Sequence, residues 1–196
     1  RDAALQAILI TGAGGLAMLA GLVIIGQSVG TYRLSELTVI LAETPPSGML
    51  VGVGALLVLI GAFTKSAQWP FSGWLPGAMV APTPISTYLH AATMVKAGVY
   101  LVARLAPVLS VLAMWRPLVL TVGAVTMIFG GWRALRQVDL KVLLAHGTVS
   151  QLGFLMLLFG AGTYDLAQAA VVLILAHGAF KAALFMVVGV IDHQTH

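Results

Sequence analysis

Three lysines lie well inside apolar runs of this sequence, where a charged side chain is most costly. Lys65 and Lys96 belong to the segment 63–104, and Lys181 belongs to the last apolar run. An ammonium group at the centre of a bilayer costs about 3 kcal/mol on insertion scales. Burial disfavours the charged form of a lysine and a nearby anion favours it, so a buried lysine can bind and release a proton. We therefore expect these lysines to relay protons within a membrane.

The arginines and the acidic residues have a different distribution. All six arginines and all six acids lie at segment ends or in connections. Arginine stays protonated and cannot pass a proton on. A fourth lysine, Lys141, lies near the start of an apolar run, where an interfacial side chain or a static pair explains it equally well. Because no apolar run contains a carboxylate, we expect the balancing anion in another part of the polypeptide or in a partner subunit.

Histidines extend this polar set, because imidazole titrates near neutral pH and suits proton transfer. His177 and Lys181 are four residues apart and share one face of a helix. His90 precedes Lys96 by six residues, and His146 lies in a separate run, where an interhelical hydrogen bond explains it equally well. No thiolates or clustered carboxylates accompany the histidines, so we expect no metal site. Further polar side chains that can hold water along such a path are Ser66, Gln68, Thr93, Thr148 and Ser150.

The composition is that of an integral membrane protein. Hydrophobic residues make up 60% of the 196 positions and charged residues only 8%, whereas soluble domains contain about 25% charged residues. The basic residues are scattered singly, so the net charge of +4 does not indicate a nucleic-acid partner. The sequence has no cysteine and no GxxxxGK or GxGxxG phosphate loop. We expect no cofactor, and no redox or hydrolytic chemistry.

Apolar runs of about 20 residues predict transmembrane helices. We expect an all-α, polytopic membrane bundle that forms one transmembrane domain over residues 1–196, with a short surface helix over Ser35–Leu41. A break near Thr64–Trp69, or at the prolines that follow, is expected to divide the second span into halves over Gly48–Phe63 and Pro70–Met79. The six expected spans are 3–26, 48–79, 84–104, 115–135, 140–160 and 166–191. The candidate helix-breaking prolines are Pro70, Pro76, Pro82 and Pro84.

Charge bias predicts the orientation of these spans. Arg133, Arg136 and Lys141 cluster in one connection, which places that connection in the cytoplasm. The connection at 80–84 and both ends of the chain then lie on the same side. Arg104 and Arg116 fall on the outer side and oppose this assignment.

Three stretches of the sequence carry a family resemblance. They are FTKSAQWPFSGWLPGAMVAPTPISTYLHAATMVKAGVYLVAR, VDLKVLLAHGTVSQLGF and LAHGAFKAALFMVVGVIDH. They resemble the large A subunit of Mrp-type multisubunit cation/proton antiporters and, more distantly, the antiporter-like membrane subunits of respiratory complex I and membrane-bound hydrogenases. The MVKAG form with Lys96, WLPGAM and FMVVGVIDH favour the Mrp branch.

The resemblance implies a fold and a set of site residues. It implies two inverted five-helix repeats, with this chain an internal fragment that holds the end of the first (1–106) and the start of the second (107–196). Lys65 matches a lysine at a helix break, which the family pairs with a glutamate on a preceding helix. Lys96 matches the connecting lysine. Leu173 departs from the pattern, because complex I relatives often have histidine there. The remaining polar-axis matches are His90, Lys141, His177 and Lys181.

The implied function is proton translocation in a complex of several subunits that exchanges Na⁺ or another monovalent cation for protons, driven by the proton motive force. The chain would be a multi-pass segment in the bacterial plasma membrane, in contact with lipid and the other subunits of the antiporter, and a translocase by assembly only. One alternative is a proton-pumping subunit of complex I or a membrane-bound hydrogenase. A second alternative is a structural scaffold subunit, in which the buried lysines would be dispensable.

Overall fold

The computed structural model describes residues 2–44, 48–89 and 94–195, and within these ranges every regular element is helical. This confirms the predicted all-α fold. Single 3₁₀ turns form at Phe71–Gly73, Ala78–Val80 and Met94–Lys96. The α-helices are α1 Asp2–Val29, α2 Leu34–Glu43, α3 Met49–Lys65, α4 Trp74–Gly77, α5 Thr83–Thr87, α6 Ala97–Leu109, α7 Trp115–Ala134, α8 Leu140–Gly160 and α9 Tyr164–Thr195.

Four helices in the described part of the chain are long and apolar enough to cross a membrane: α1, α7, α8 and α9. They correspond to the first, fourth, fifth and sixth predicted spans. Helix α3 is apolar but shorter, with 17 residues, and α2 corresponds to the expected surface helix. Helix α3 lies in the second of the six expected spans, and α5 and α6 lie in the third and extend it to Leu109.

The second span is discontinuous, as the polar residues around Lys65 predict. Helix α3 ends at Lys65, and the next turn includes Ala67 with a positive φ of 48°. The amide of Gln68 then donates to the carbonyl of Phe63 at 2.8 Å and closes a wide turn. The second half is not one helix but a series of short turns over 71–80. Pro70 directly precedes the first of these turns, and Pro76 lies inside α4.

The third span was predicted as one helix over 84–104, and the structure describes it on either side of residues 90–93, which lie outside the described residues. Helix α5 follows Pro82 and has Pro84 in its first turn, and α6 begins only after the 3₁₀ turn at Met94–Lys96. Helix α6 continues to Leu109, so the proposed repeat boundary at 106/107 falls within it. Irregular backbone is tolerated at membrane depth where it is buried in protein. Here the start of α6 packs on the end of α3, where the hydroxyl of Ser66 accepts from the amide of Val99 at 3.0 Å.

Glycines set the closest helix contacts. A side chain at Gly54 of α3 would collide with Ile25 of α1, and one at Gly153 of α8 would collide with the backbone of α7 at Met127. Small residues of this kind let membrane helices approach closely. One apolar core continues from these contacts through α3, α6 and α8.

Candidate proton-transfer site

Lys96 is buried and is bonded to a main-chain oxygen. It ends the 3₁₀ turn before α6, and its Nζ donates to the carbonyl of Ile174 in α9 at 2.9 Å. The residue is only 9% exposed. A carbonyl dipole stabilises an ammonium less than a carboxylate does, because it carries no net charge. The partner of Lys96 therefore does not lock it in the charged form.

Lys181 of α9 is also buried and bonded to a main-chain oxygen, which belongs to α8. Its Nζ donates to the carbonyl of Leu144 in α8 at 2.9 Å, and the same carbonyl accepts from the hydroxyl of Thr148 at 2.9 Å. Gly147 leaves room for the ammonium, since a Cβ at that position would lie 3.1 Å from Nζ. Lys181 is 5% exposed, so it is a second buried lysine with main-chain and hydroxyl oxygens around it.

His177 lies on α9 between Ile174, whose carbonyl accepts from Lys96, and Lys181. It is three residues after Ile174 and four residues before Lys181, and it is fully buried. Neither Nδ1 nor Nε2 has a hydrogen-bond partner among the described residues. The ring is fixed instead by an edge contact with Phe180, with 5.3 Å between the ring centroids. A neutral imidazole has one donor and one acceptor nitrogen, so it can accept a proton at one side and release one at the other.

Lys141 has a carboxylate partner within the chain. Its Nζ donates to Oδ2 of Asp192 at 2.7 Å, joining the start of α8 to the end of α9. For Lys141 the balancing anion thus comes from another part of the same chain. The acid was visible in the sequence as a segment-end residue, but its pairing depends on the antiparallel packing of α8 and α9, which span length alone does not specify.

Lys65 is the last residue of α3 and is half-buried, and it makes no hydrogen bond or ion pair with another described residue. The residues that follow Lys65 form hydrogen bonds with α6 and α7. Besides the bond from Ser66 to α6, the amide of Trp69 donates to Thr126 of α7 at 2.9 Å. Gln68 is buried, and its Nε2 donates to the carbonyl of Ser66 at 2.9 Å. Ser66 and Gln68 thus shape the break, and the structure does not connect Lys65 directly to the Lys96 cluster.

The remaining candidates are distributed around this cluster. His146 is buried in α8, where the charge of Arg133 acts on it. Ser150 donates to the carbonyl of Met127 at 2.8 Å and links α8 to α7. His90 and Thr93 lie outside the described residues. In the described part of the chain, no group of three potential metal-ligating side chains forms.

Sequence reasoning missed the acceptors of the two buried lysines, the carbonyls of Ile174 and Leu144. It also missed Thr126, whose hydroxyl donates to the carbonyl of Val122 at 2.6 Å while it accepts from the helix break. Carbonyl oxygens occur at every residue and have no sequence signal. Asp192 did have a signal, since eleven residues separate it from Lys181 and eleven residues return to the same face of a helix.

Comparison with known proteins gives the family. The profile of the family described as "NADH:quinone oxidoreductase/Mrp antiporter, TM" matches residues 1–196. The A/B subunit of a probable K⁺/H⁺ antiporter of Rhizobium meliloti (strain 1021) is 50% identical over 197 residues, which cover 100% of this chain and 19% of the relative. The A subunit of a Na⁺/H⁺ antiporter of Bacillus subtilis (strain 168) is 43% identical over 206 residues, which cover 100% of this chain and 26% of the relative.

Solved structures have the same fold. A chain of the Mrp complex from Dietzia sp. DQ12-45-1b superposes with a TM-score of 0.93 and 46% identity, over 100% of this chain and 22% of that one. A chain of respiratory complex I from Thermus thermophilus gives a TM-score of 0.86 and 25% identity, over 98% of this chain and 41% of that one. The chain thus spans about a fifth to a quarter of the length of the curated relatives. The resemblance to the Mrp A subunit is confirmed, and the chain belongs to the NADH:quinone oxidoreductase/Mrp antiporter transmembrane family.

Proposed function

We propose that this chain forms a central proton-relay segment in the large subunit of a multisubunit monovalent cation/proton antiporter of the bacterial plasma membrane. The observation that carries the proposal is the buried Lys96–His177–Lys181 cluster, in which both ammonium groups donate to main-chain carbonyls. The names of the Rhizobium and Bacillus relatives, which are subunits of K⁺/H⁺ and Na⁺/H⁺ antiporters, support this assignment. Partners would be the other antiporter subunits and membrane lipid.

The relay moves one proton through the imidazole ring of His177. A proton passes from the ammonium of Lys96 to one ring nitrogen of His177, and the proton on the other ring nitrogen passes to a neutral amine at Lys181. The acceptors of the two lysines are neutral oxygens, which stabilise an ammonium less than a carboxylate would, and burial favours the neutral amine. No redox step is involved. The proton motive force supplies the direction, and other parts of the complex couple it to cation movement.

Lys65 supplies the switch in this proposal. Its ammonium would pair with a carboxylate outside this chain, on the helix that precedes residue 1 in the longer subunit. Pairing favours the protonated form, and separation of the pair in low-dielectric surroundings favours transfer of the proton to the next titratable group of the path. One alternation between the two states would load and release one proton. His90 would continue the path between Lys65 and the Lys96 cluster.

The test removes one buried charge at a time from the complete antiporter complex. Lys96→Met and Lys181→Met keep side-chain length, so assembly should be retained while cation-dependent proton exchange in everted vesicles is lost. Lys181→Arg should also lose exchange, since arginine cannot release its proton. Arg136→Met, an exposed cation of the connection between α7 and α8, is the control and should exchange normally. Near-normal exchange by Lys181→Met would contradict the relay and favour the scaffold alternative.

A pump subunit driven by electron transfer is the competing assignment. The Mrp complex chain is more similar in sequence (46% against 25%) and in fold (TM-score 0.93 against 0.86) than the complex I chain, and this favours the antiporter. One assay distinguishes antiport from redox-driven proton pumping. An antiporter moves protons when a cation gradient is applied in the absence of any electron donor, whereas a redox-driven pump does not.

A further inference from the structure

A cavity of about 1030 Å³ opens between the start of α5 and the last turns of α9. Its wall includes Pro82, Thr87, Lys141, Asp192 and His193. The ion pair of Lys141 and Asp192 lies in this wall, with side-chain exposures of 18% and 46%. Both side chains therefore line the cavity, and the carboxylate is the more exposed of the two.

Asp192 of this pair lies on the same face of α9 as the buried Lys181. Lys181 and Asp192 are eleven residues apart, which is about three turns and 16 Å along the same helix face. On α8 the ion pair is closer to the group that binds Lys181. Lys141 is three residues before Leu144, whose carbonyl accepts from Lys181. The ion pair is thus about one helical turn from the oxygen that holds the relay lysine.

An apolar cluster occupies the space between them. Met79, Leu144, Ala145 and Phe185 are buried together. Phe185 lies one turn beyond Lys181 on α9 and is fully buried. Such a cluster offers no polar group to carry a proton, so it separates the cavity from Lys181.

We propose that Asp192 is a positioning residue that holds the ammonium of Lys141 at the cavity wall and so keeps the apolar cluster around Phe185 closed between the cavity and Lys181. The inference rests on the proposed function, because a closed entrance has a purpose only if Lys181 carries protons. The pair joins the first turn of α8 to the last turns of α9 beside the cluster. When it opens, Lys141 is free to turn from the cavity toward Leu144, the two helix ends can separate, and protons reach the relay.

The experiment measures proton leak through the complete complex in proteoliposomes, under a pH gradient and without transported cation. Asp192→Asn removes the charge but keeps the shape, and proton leak should rise about two- to fivefold, as expected for loss of a partly exposed ion pair. Asp192→Glu, and the swap that combines Lys141→Asp with Asp192→Lys, should keep the leak low. Asp165→Asn is the matched control, since Asp165 is an exposed acid at the other end of α9.

Two further variants locate the leak. Phe185→Leu reduces the apolar barrier and leaves the ion pair in place, so it should also raise the leak. Asp192→Asn combined with Lys181→Met should return the leak to the wild-type level, because the protons then lack their carrier. A leak in Asp192→Asn no greater than in Asp165→Asn overturns the inference, and so does a leak that persists in the double variant. Failure of the proposed function is seen separately, as normal exchange by Lys181→Met alone.

Discussion

Replacing Gly98 by alanine tests the contact on which the position of Lys96 depends. Gly98 is the second residue of α6 and is buried against the end of α3. A methyl group at this position would collide with the carbonyl oxygen of Ala62, and would lie 2.5 Å from the hydroxyl oxygen of Ser66 and 2.9 Å from the carbonyl carbon of Ala62. Two of these atoms belong to the backbone of α3 and cannot rotate away, so the helices must move apart.

The expected loss of stability in Gly98→Ala is the sum of two destabilising contributions and one stabilising contribution. Adding a methyl group to a packed contact costs about 1–3 kcal/mol. Separating α6 from α3 also removes the bond from the Val99 amide to Ser66, now 3.0 Å long, at about 1 kcal/mol. The higher helix propensity of alanine returns up to about 1 kcal/mol. We expect a net loss of about 1–3 kcal/mol.

The assay is thermal unfolding of the detergent-solubilised complex, combined with proton exchange. Gly52→Ala is the control, because Gly52 lies on α3 and a Cβ there has no neighbouring atom within 4 Å. Gly98→Ala should lower the apparent melting temperature and reduce exchange through a displaced Lys96, whereas Gly52→Ala should leave both unchanged or raise the melting temperature. If Gly98→Ala melts at or above the wild-type temperature, α6 does not pack on α3 as described.

Two further predictions address Lys65 and the start of α8. Lys65→Arg should abolish cation-dependent proton exchange in everted vesicles although it keeps the charge, because arginine does not release its proton; near-normal exchange would instead assign Lys65 a fixed electrostatic role. Asp139→Ala should lower the stability of the complex by about 1 kcal/mol, since the Asp139 carboxylate caps α8 by accepting from the amide of Val142 at 3.0 Å. Asp139→Asn should retain the cap, and equal melting temperatures for the two variants would contradict this role.

The continuous spans were predictable because each is a local property of the sequence. Runs of about 20 apolar residues predict the helices α1, α7, α8 and α9. The observed bounds of these helices differ from the predicted bounds by only a few residues. The end of α3 was also predictable, because Lys65, Ser66 and Gln68 interrupt an apolar run. In each case the deciding residues are neighbours in the sequence.

The start of α6 at Ala97 was not predictable from the same information. At this point Gly98 and Val99 meet the end of α3. Hydropathy does not report a contact between residues more than thirty positions apart. The series of short turns after Pro70 was missed for the same reason, since Trp74 bonds back to the carbonyl of Thr64 at 3.0 Å.

In the candidate site, the residues could be predicted from the sequence and their partners could not. Residue types identified Lys96, His177 and Lys181, because charged and imidazole side chains are rare in apolar runs. Their partners depend on how α9 packs against α8 and against the 3₁₀ turn at Met94–Lys96, and the acceptors are main-chain oxygens that no residue type indicates. In the proposed relay the important feature is that both lysines donate to carbonyls and not to carboxylates, and only the packed helices specify this.

The packing of α9 also decides which substitution is a fair test of the relay. Among the described side chains of α9, those that are buried are Ala170, His177, Lys181 and Phe185. Their spacings of seven, four and four residues place them on one face, so the relay residues are also the residues that pack α9 against the bundle. Lys181→Ala would open a cavity in that face and lower stability as well as activity. Lys181→Met fills most of the space with an unbranched apolar chain, and the carbonyl of Leu144 still accepts from Thr148. A loss of exchange in the methionine variant therefore reports on the missing proton carrier and not on the loss of helix packing.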